Sequence, residues 1–84
     1  MRKYVLSSHA KTVITERSIK TEWLEQVFAK PDKLDADPDD PDLKHAFGRI
    51  AEHGNRVLRV VYNDSVRPIM IVTVYFDRGM RNKP

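Results

Sequence analysis

The sequence predicts an α+β domain in which two N-terminal helices pack on one face of a three- to four-stranded antiparallel β-meander. Two β-branched and aromatic runs, at 56–62 and 68–76, are separated by the polar segment 63–67, a pattern typical of a β-hairpin. Two segments before residue 31 instead carry apolar residues at helical spacing. A chain of 84 residues can bury one core only, so we expect a single domain over 1–84.

Residues 4–30 are predicted to form an edge strand and both helices. The run at 4–6 is short and β-prone, and the hydroxyls of Ser7 and Ser8 suit the start of a helix near His9. Thr21 is the expected N-cap of a second helix, which ends before Pro31. The apolar positions of the two helices recur three and four residues apart: Ala10, Val13, Ile14, Trp23, Leu24, Val27 and Phe28.

Residues 31–43 are predicted to form an acidic, solvated loop. The stretch from Pro31 to Asp42 has one lysine and six aspartates, and its prolines and like charges disfavour a regular element. A calcium-binding loop starting at Asp35 would need glycine where Asp40 stands and glutamate where Ala46 stands, so we predict no metal site. A further expectation is that this loop screens the basic sheet surface until a polyanion displaces it.

Residues 44–76 are predicted to form the antiparallel sheet, and residues 77–84 a flexible tail. A strand near 44–52 is joined to the next by a two-residue turn at Gly54 and Asn55. This register would bury Arg49, which suggests a bulge near Gly48. With a five-residue turn at 63–67, alternation assigns one apolar face to the core: Leu58, Val60, Tyr62, Met70, Val72, Val74 and Phe76. The opposite, open face carries Arg59, Ile69, Ile71, Thr73 and Tyr75 among others.

The composition excludes several classes of protein. The chain has no cysteine, which excludes disulfides and thiolate metal sites, and no apolar run reaches the roughly 18 to 20 residues that span a bilayer. We therefore expect a cytoplasmic protein without membrane association. The net charge is +3, and residues 56–84 contain six basic but two acidic residues, which favours a polyanionic partner.

Several short motifs resemble a known family. Ser-His-Ala around His9, Arg17 and Ile19 before the second helix, Leu-Arg-Val at 58–60 and Val-Thr-Val-Tyr at 72–75 are similar to a small prokaryotic domain family of unknown function. That family is grouped with the BrnT and RelE-like toxins, in the barnase, EndoU, colicin and RelE nuclease-type fold. The resemblance extends from Tyr4 to Phe76.

The resemblance implies binding or metal-independent cleavage of RNA on the uncovered sheet face, with no cofactor. In this chemistry a base accepts a proton from the 2′-hydroxyl, and cations stabilise the phosphorane. The implied catalytic residues are His9, Arg17, Arg59 and Tyr75. The implied nucleic-acid contacts are Arg49, Arg56, Thr73 and Arg78. The family also implies a cognate antitoxin or another protein partner.

Each candidate residue also has a simpler interpretation. The His9 imidazole would be bonded to a carboxylate or a carbonyl, Arg17 would complement a helix dipole or an acid, and Arg59 would pair with Glu52 across strands. Thr73 and Tyr75 are ordinary strand residues, and His45 and His53 are expected at the surface or in the hairpin. The alternative functions are a non-catalytic interaction module, bound along a sheet edge or the acidic loop, and a structural accessory domain.

Overall fold

The structure is a computed structural model that describes residues 3–78. In chain order the elements are β1 (Tyr4–Leu6), α1 (Ser8–Glu16), α2 (Thr21–Ala29), β2 (Lys33–Ala36), β3 (Leu43–Ile50), a 3-10 turn (Ala51–His53), β4 (Arg56–Asn63) and β5 (Ile69–Phe76). Of the predicted tail 77–84, residues 79–84 lie outside the described part. Within residues 3–78, no helix is both long and apolar enough to cross a bilayer.

The strands form one mixed sheet in the order β1-β5-β4-β3-β2. The α+β class and the two helices on one face are confirmed, but the predicted meander of three to four strands is too small. The pairs β2–β3, β3–β4 and β4–β5 are antiparallel, and β1 adds a parallel strand beside β5. A parallel neighbour requires a crossover, which the chain segment containing both helices and β2 to β4 provides.

The strand β2 lies inside the segment predicted to be a loop. Lys33 pairs with Phe47 and Ala36 with Lys44, so the irregular acidic loop begins only after Ala36. The prediction failed because like charge disfavours packing but not an edge strand, whose four side chains all remain exposed here.

Each helix begins and packs for identifiable reasons. The Ser7 hydroxyl accepts a hydrogen bond from the N–H of Ala10 at 3.0 Å and donates one to the carbonyl of Val72 at 2.8 Å, so it caps α1 and ties it to β5. The predicted cap of α2 is wrong by one residue, because Lys20 occupies the N-cap without a side-chain bond. The predicted apolar face of α2 is confirmed: Trp23, Leu24, Val27 and Phe28 are buried.

The core lies between the helices and one face of the sheet. Its sheet side is contributed by β3, β4 and β5: Ala46, Ile50, Leu58, Val60, Tyr62, Ile69, Ile71 and Val74. Edge-to-face contacts of the Phe28 ring with Tyr4 and Tyr62, at centroid distances of 5.3 and 5.1 Å, connect α2 to both β1 and β4.

The predicted register of β5 is wrong, although Val74 and Phe76 lie on the predicted face. The five-residue turn placed Tyr62 opposite Pro68, whereas Tyr62 pairs with Ile71, Leu58 with Phe76 and Val60 with Val74, and Val72 has no partner in β4. This extra residue reverses the alternation of core-facing and open-face side chains over residues 69–71. Ile69 and Ile71 are therefore buried, while Met70 is 38 % exposed. The assignment of Met70 and Val72 to the core face was wrong for this reason.

The predicted β3–β4 turn is also wrong. Ile50, not His53, pairs with Arg56, and the 3-10 turn takes up the intervening residues with Gly54 at φ 68°. This register turns Arg49 to the open face without a bulge. Gly48 is needed for close packing instead, since a Cβ there would lie 2.7 Å from Val27 Cγ2.

The acidic loop lies at the end of the sheet opposite to Arg56 and Phe76. Leu43 pairs with Asn63 and the N–H of Asp64 binds the carbonyl of Asp42, whereas Leu58 pairs with Phe76 at the other end of β4. Eight strand residues separate the two ends by about 25 Å. The loop therefore does not cover the basic residues at the Arg56 end of the sheet.

Candidate functional site

A cleft opens between α1 and the part of β5 that β1 does not cover. The β1 strand pairs only with residues 69–71, so among residues 3–78 the outer edge of β5 has no strand neighbour beyond Ile71. His9, Val13, Glu16 and Arg17 share one side of α1 and its C-terminal end because they are spaced by four, three and one residues. The cleft has a volume of about 630 Å³.

The lining of the cleft brings together six of the eight residues predicted to act on RNA. They come from α1, from the start of β4 and from the end of β5: His9, Arg17, Arg56, Thr73, Tyr75 and Arg78. Val13, Glu16, His53 and Phe76 complete the lining. Residues far apart in sequence thus converge where the sheet edge, the helix and the 3-10 turn meet.

The cations of this cleft are not neutralised. Within residues 3–78, no carboxylate lies within 4.0 Å of the side-chain nitrogens of Arg17, Arg56 or Arg78. Glu16 is the one acidic residue in the described lining. The cleft therefore has a surplus of positive charge available to an anionic ligand.

His9 is exposed at the first turn of α1, and its side chain makes no hydrogen bond to another described residue. The simpler interpretation, an imidazole held by a carboxylate or a carbonyl, has no counterpart in residues 3–78. Arg17 is the C-cap of α1, which is compatible with the helix-dipole interpretation as well as with ligand binding.

Arg59 and Arg49 lie outside the cleft, on the open face. The Arg59 guanidinium contacts Asp77 Oδ2 at 2.6 Å, donates to the Tyr75 hydroxyl at 2.9 Å and stacks over Phe47 at 4.5 Å from the ring centre. The cross-strand partner is therefore Asp77 and not Glu52, whose carboxylate accepts the indole N–H of Trp23. Arg59 is fixed within the protein, while its contact with Tyr75 reaches the rim of the cleft.

Two of the cations on the open face are paired with carboxylates. Lys33, at its outer strand, pairs with Asp35 at 3.6 Å, and Arg59 pairs with Asp77. Lys33, Phe47, Arg59 and Tyr75 form one cross-strand row in which the cations cover Phe47, which is 3 % exposed. The geometry thus moves the candidate site from the open sheet face to the edge cleft.

His53 is the cleft residue that sequence reasoning missed. Its ring lies 4.7 Å from that of Phe76 and 5.0 Å from that of Trp23, between α2 and β5. The predicted two-residue turn hid this placement, because it made His53 a strand end. The local signal was the Glu52-His53-Gly54 sequence, which is compatible with a helical turn closed by a left-handed glycine.

The two described groups with shifted pKa values, Tyr4 and Asp37, lie away from the cleft. Burial raises the pKa of the Tyr4 hydroxyl, and the neighbouring Glu25 raises it further. The hydrogen bond from His45, followed by those from the N–H groups of Asp39 and Asp40, lowers the pKa of Asp37. Within the described residues, no three His, Asp or Glu side chains converge in a way that could hold a metal ion.

A family model for a domain of unknown function, DUF4258, matches residues 6–76. The chain belongs to the DUF4258 family. The match covers both helices, β3, β4 and β5, and every cleft residue except Arg78. Comparison of this DUF4258 domain with characterised proteins and with solved structures gave no match.

Proposed function

We propose that this DUF4258 domain is a RelE- and BrnT-like toxin-family domain that binds RNA in the edge cleft and cleaves it without a metal ion. The observation that carries the proposal is the gathering, in one cleft of about 630 Å³, of His9 with three arginines that have no acidic partner among residues 3–78. Phosphodiester transesterification needs a proton acceptor beside cations, and this set of residues supplies both. We propose a cytoplasmic location for this activity.

Each residue has a role in this proposal. His9 accepts the proton of the 2′-hydroxyl as that oxygen attacks the adjacent phosphorus, because imidazole is the side chain that titrates nearest to neutral pH. Arg17, Arg56 and Arg78 stabilise the negative charge that builds up on the phosphorane oxygens. Tyr75, which is 38 % exposed at the rim, stacks on a base, and Thr73 donates a hydrogen bond.

The test is cleavage of labelled RNA by the purified protein in EDTA. The wild type should cleave, and His9→Ala and Arg17→Ala should each lower the rate by about 10² or more. Arg67→Ala is the matched control, since Arg67 is exposed at the opposite end of the molecule and should leave the rate unchanged. Intact RNA at high wild-type concentration would overturn the nuclease proposal.

A second candidate function is a non-catalytic interaction module that binds a protein partner, such as a cognate antitoxin. The free outer edge of β5 favours it, because an exposed strand edge can pair with an extended segment of another chain. An acidic segment would fit the cleft beside this edge. The test of this second function is binding of a small acidic protein encoded next to this chain. If that protein binds the domain, Arg17→Glu weakens the binding and RNA stays intact, the second function is the correct one.

A further inference from the structure

We infer that His53 is a second catalytic residue of the cleft, the acid that protonates the departing 5′-oxygen of the cleaved phosphodiester. This inference rests on the proposed nuclease function and assigns the one proton transfer that His9 cannot perform while it acts as the base.

The 3-10 turn holds His53 in place from two sides. The Glu52 carboxylate accepts the indole N–H of Trp23, which anchors the turn to α2. Gly54 and Asn55 follow with φ of 68° and 58°, a left-handed pair that returns the chain to β4. The imidazole therefore packs against both the Trp23 and the Phe76 ring and is half-buried.

Packing alone does not require a histidine at this position. A phenyl or aliphatic side chain would fill the space between two aromatic rings without placing a polar ring at the wall of a cleft. The polar atoms of His53 make no hydrogen bond to another described residue, and the nearest carboxylate along the chain, that of Glu52, is bound to Trp23. The ring nitrogens are thus available to a ligand.

The neighbours of His53 are those of a phosphate site. The Arg56 guanidinium lies 5.5 Å from the centre of the same Phe76 ring that contacts His53. His9, Glu16, Arg17 and Arg78 line the same cleft. An anion held by the arginines would therefore lie between an imidazole on α1 and an imidazole on the 3-10 turn.

The proposed step is balanced in atoms and electrons. The 2′-oxygen forms a bond to phosphorus as its proton passes to His9, and the bond from phosphorus to the 5′-oxygen breaks as the His53 imidazolium gives that oxygen a proton. The products are a 2′,3′-cyclic phosphate and a free 5′-hydroxyl. Proton exchange with water restores both histidines, so no further reactant is needed.

The experiment compares two substrates that differ only in the leaving group. One is a dinucleotide, whose 5′-alkoxide must be protonated to leave. The other is the same nucleoside 3′-(4-nitrophenyl phosphate), whose nitrophenolate leaves without a proton. Wild type, His9→Ala, His53→Phe and His53→Gln are assayed on both, and His45→Gln, altered at the far end of the molecule, is the control.

Loss of an acid should lower the rate on the dinucleotide by about 10² to 10⁴. We expect that loss for both His53 variants, with rates within about tenfold of wild type on the nitrophenyl ester, whereas His9→Ala should be slow on both substrates. His53→Phe keeps the ring stacking, and thermal unfolding checks that each variant is folded.

Two results would overturn the inference while leaving the nuclease function intact: wild-type rates of His53→Phe on the dinucleotide, or equal losses on both substrates in folded His53 variants. A wild-type protein inactive on both substrates would instead overturn the proposed function, and the inference with it.

Discussion

The two ends of the sheet use positive charge in opposite ways. At the end formed by the acidic loop and the β4–β5 connection, Lys44 and Arg67 both contact Asp64, and His45 contacts Asp37 at 2.6 Å. At the cleft end, the three arginines have no acidic partner within the described residues. The difference indicates that a candidate anion-binding site is recognised by cations that lack acidic partners, more than by the number of its cations.

The largest expected effect concerns the aromatic support of the cleft end. Trp23 is 7 % exposed and contacts Phe76, His53 and Glu52, so Trp23→Ala should lower the free energy of unfolding by about 3 to 5 kcal/mol. Val66→Ala, at the opposite end, should change it by about 0.5 kcal/mol or less because Val66 is 41 % exposed. Urea unfolding of both variants measures the contrast, and equal losses would contradict it.

Charge reversal at each end tests the comparison directly. Arg56→Glu should lower the rate of RNA cleavage by about 10² to 10³, because it removes one cation from the phosphorane and adds a repelling charge. Arg67→Glu makes the same change in net charge where the guanidinium contacts Asp64, and it should leave cleavage within twofold of wild type. A similar loss in both variants would show that total charge, and not the cleft, controls activity.

Arg59→Ala separates a structural role from a catalytic one. The variant leaves Asp77 without its ion pair to Arg59 and uncovers Phe47, so it should be less stable by about 1 to 3 kcal/mol. Its cleavage rate at a temperature where it is folded should fall less than that of Arg17→Ala, since Arg59 lies outside the cleft. A larger fall than for Arg17→Ala would restore Arg59 as a direct participant.

The salt dependence of the RNA binding constant measures the number of phosphate contacts. For single-stranded nucleic acid the logarithm of the binding constant falls by about 0.7 per contact for each logarithmic unit of salt. Arg17→Ala and Arg78→Ala should each reduce this slope by about that amount, and Lys44→Ala should not alter it because Lys44 already contacts Asp64. Fluorescence anisotropy of a labelled oligonucleotide from 50 to 300 mM salt, a range chosen around ~0.15 M physiological ionic strength, gives the slopes.

The smallest effect is a pH dependence at the acidic end. Because the pKa of Asp37 is lowered in the folded state, mainly by the bond from His45, its contribution to stability is present above the unfolded value and is lost as the pH falls through the folded value. Asp37→Asn should thus be less stable than wild type at pH 6, and this difference should shrink as the pH falls below the unfolded value. Thermal unfolding across that range checks it, and a constant difference would contradict the linkage.

Local patterns were enough to predict the helices and the β4–β5 hairpin, but not the details of pairing. The apolar face of α2 depends on spacing within nine residues, which is why it was predictable. Tertiary contacts accompany the unpaired Val72 and the 3-10 turn before Gly54: the bond from the Ser7 hydroxyl to the Val72 carbonyl, and the bond from Trp23 to Glu52. Neither contact can be inferred from the residues next to it in sequence.

The candidate site was predictable as a set of residues but not as a place. His9, Arg17, Thr73 and Tyr75 were named from their motifs, and the cleft contains them all. Alternation along β5 assigned Thr73 and Tyr75 to the open face, and no pattern in the sequence showed that His9 and Arg17 lie next to them. The short pairing between β1 and β5, which leaves the edge cleft uncovered, is a tertiary feature without a local signature.

Within residues 3–78, the acidic loop and the cleft arginines lie at opposite ends of β4, so we expect this part of the molecule to have an electric dipole roughly along β4. A dissolved polyanion would exert a torque on this dipole and turn the cleft end toward itself before contact, while the aspartate end is pushed away. Diffusional encounters would then be productive more often than random orientation allows. This gain should vanish as added electrolyte shortens the range of the field.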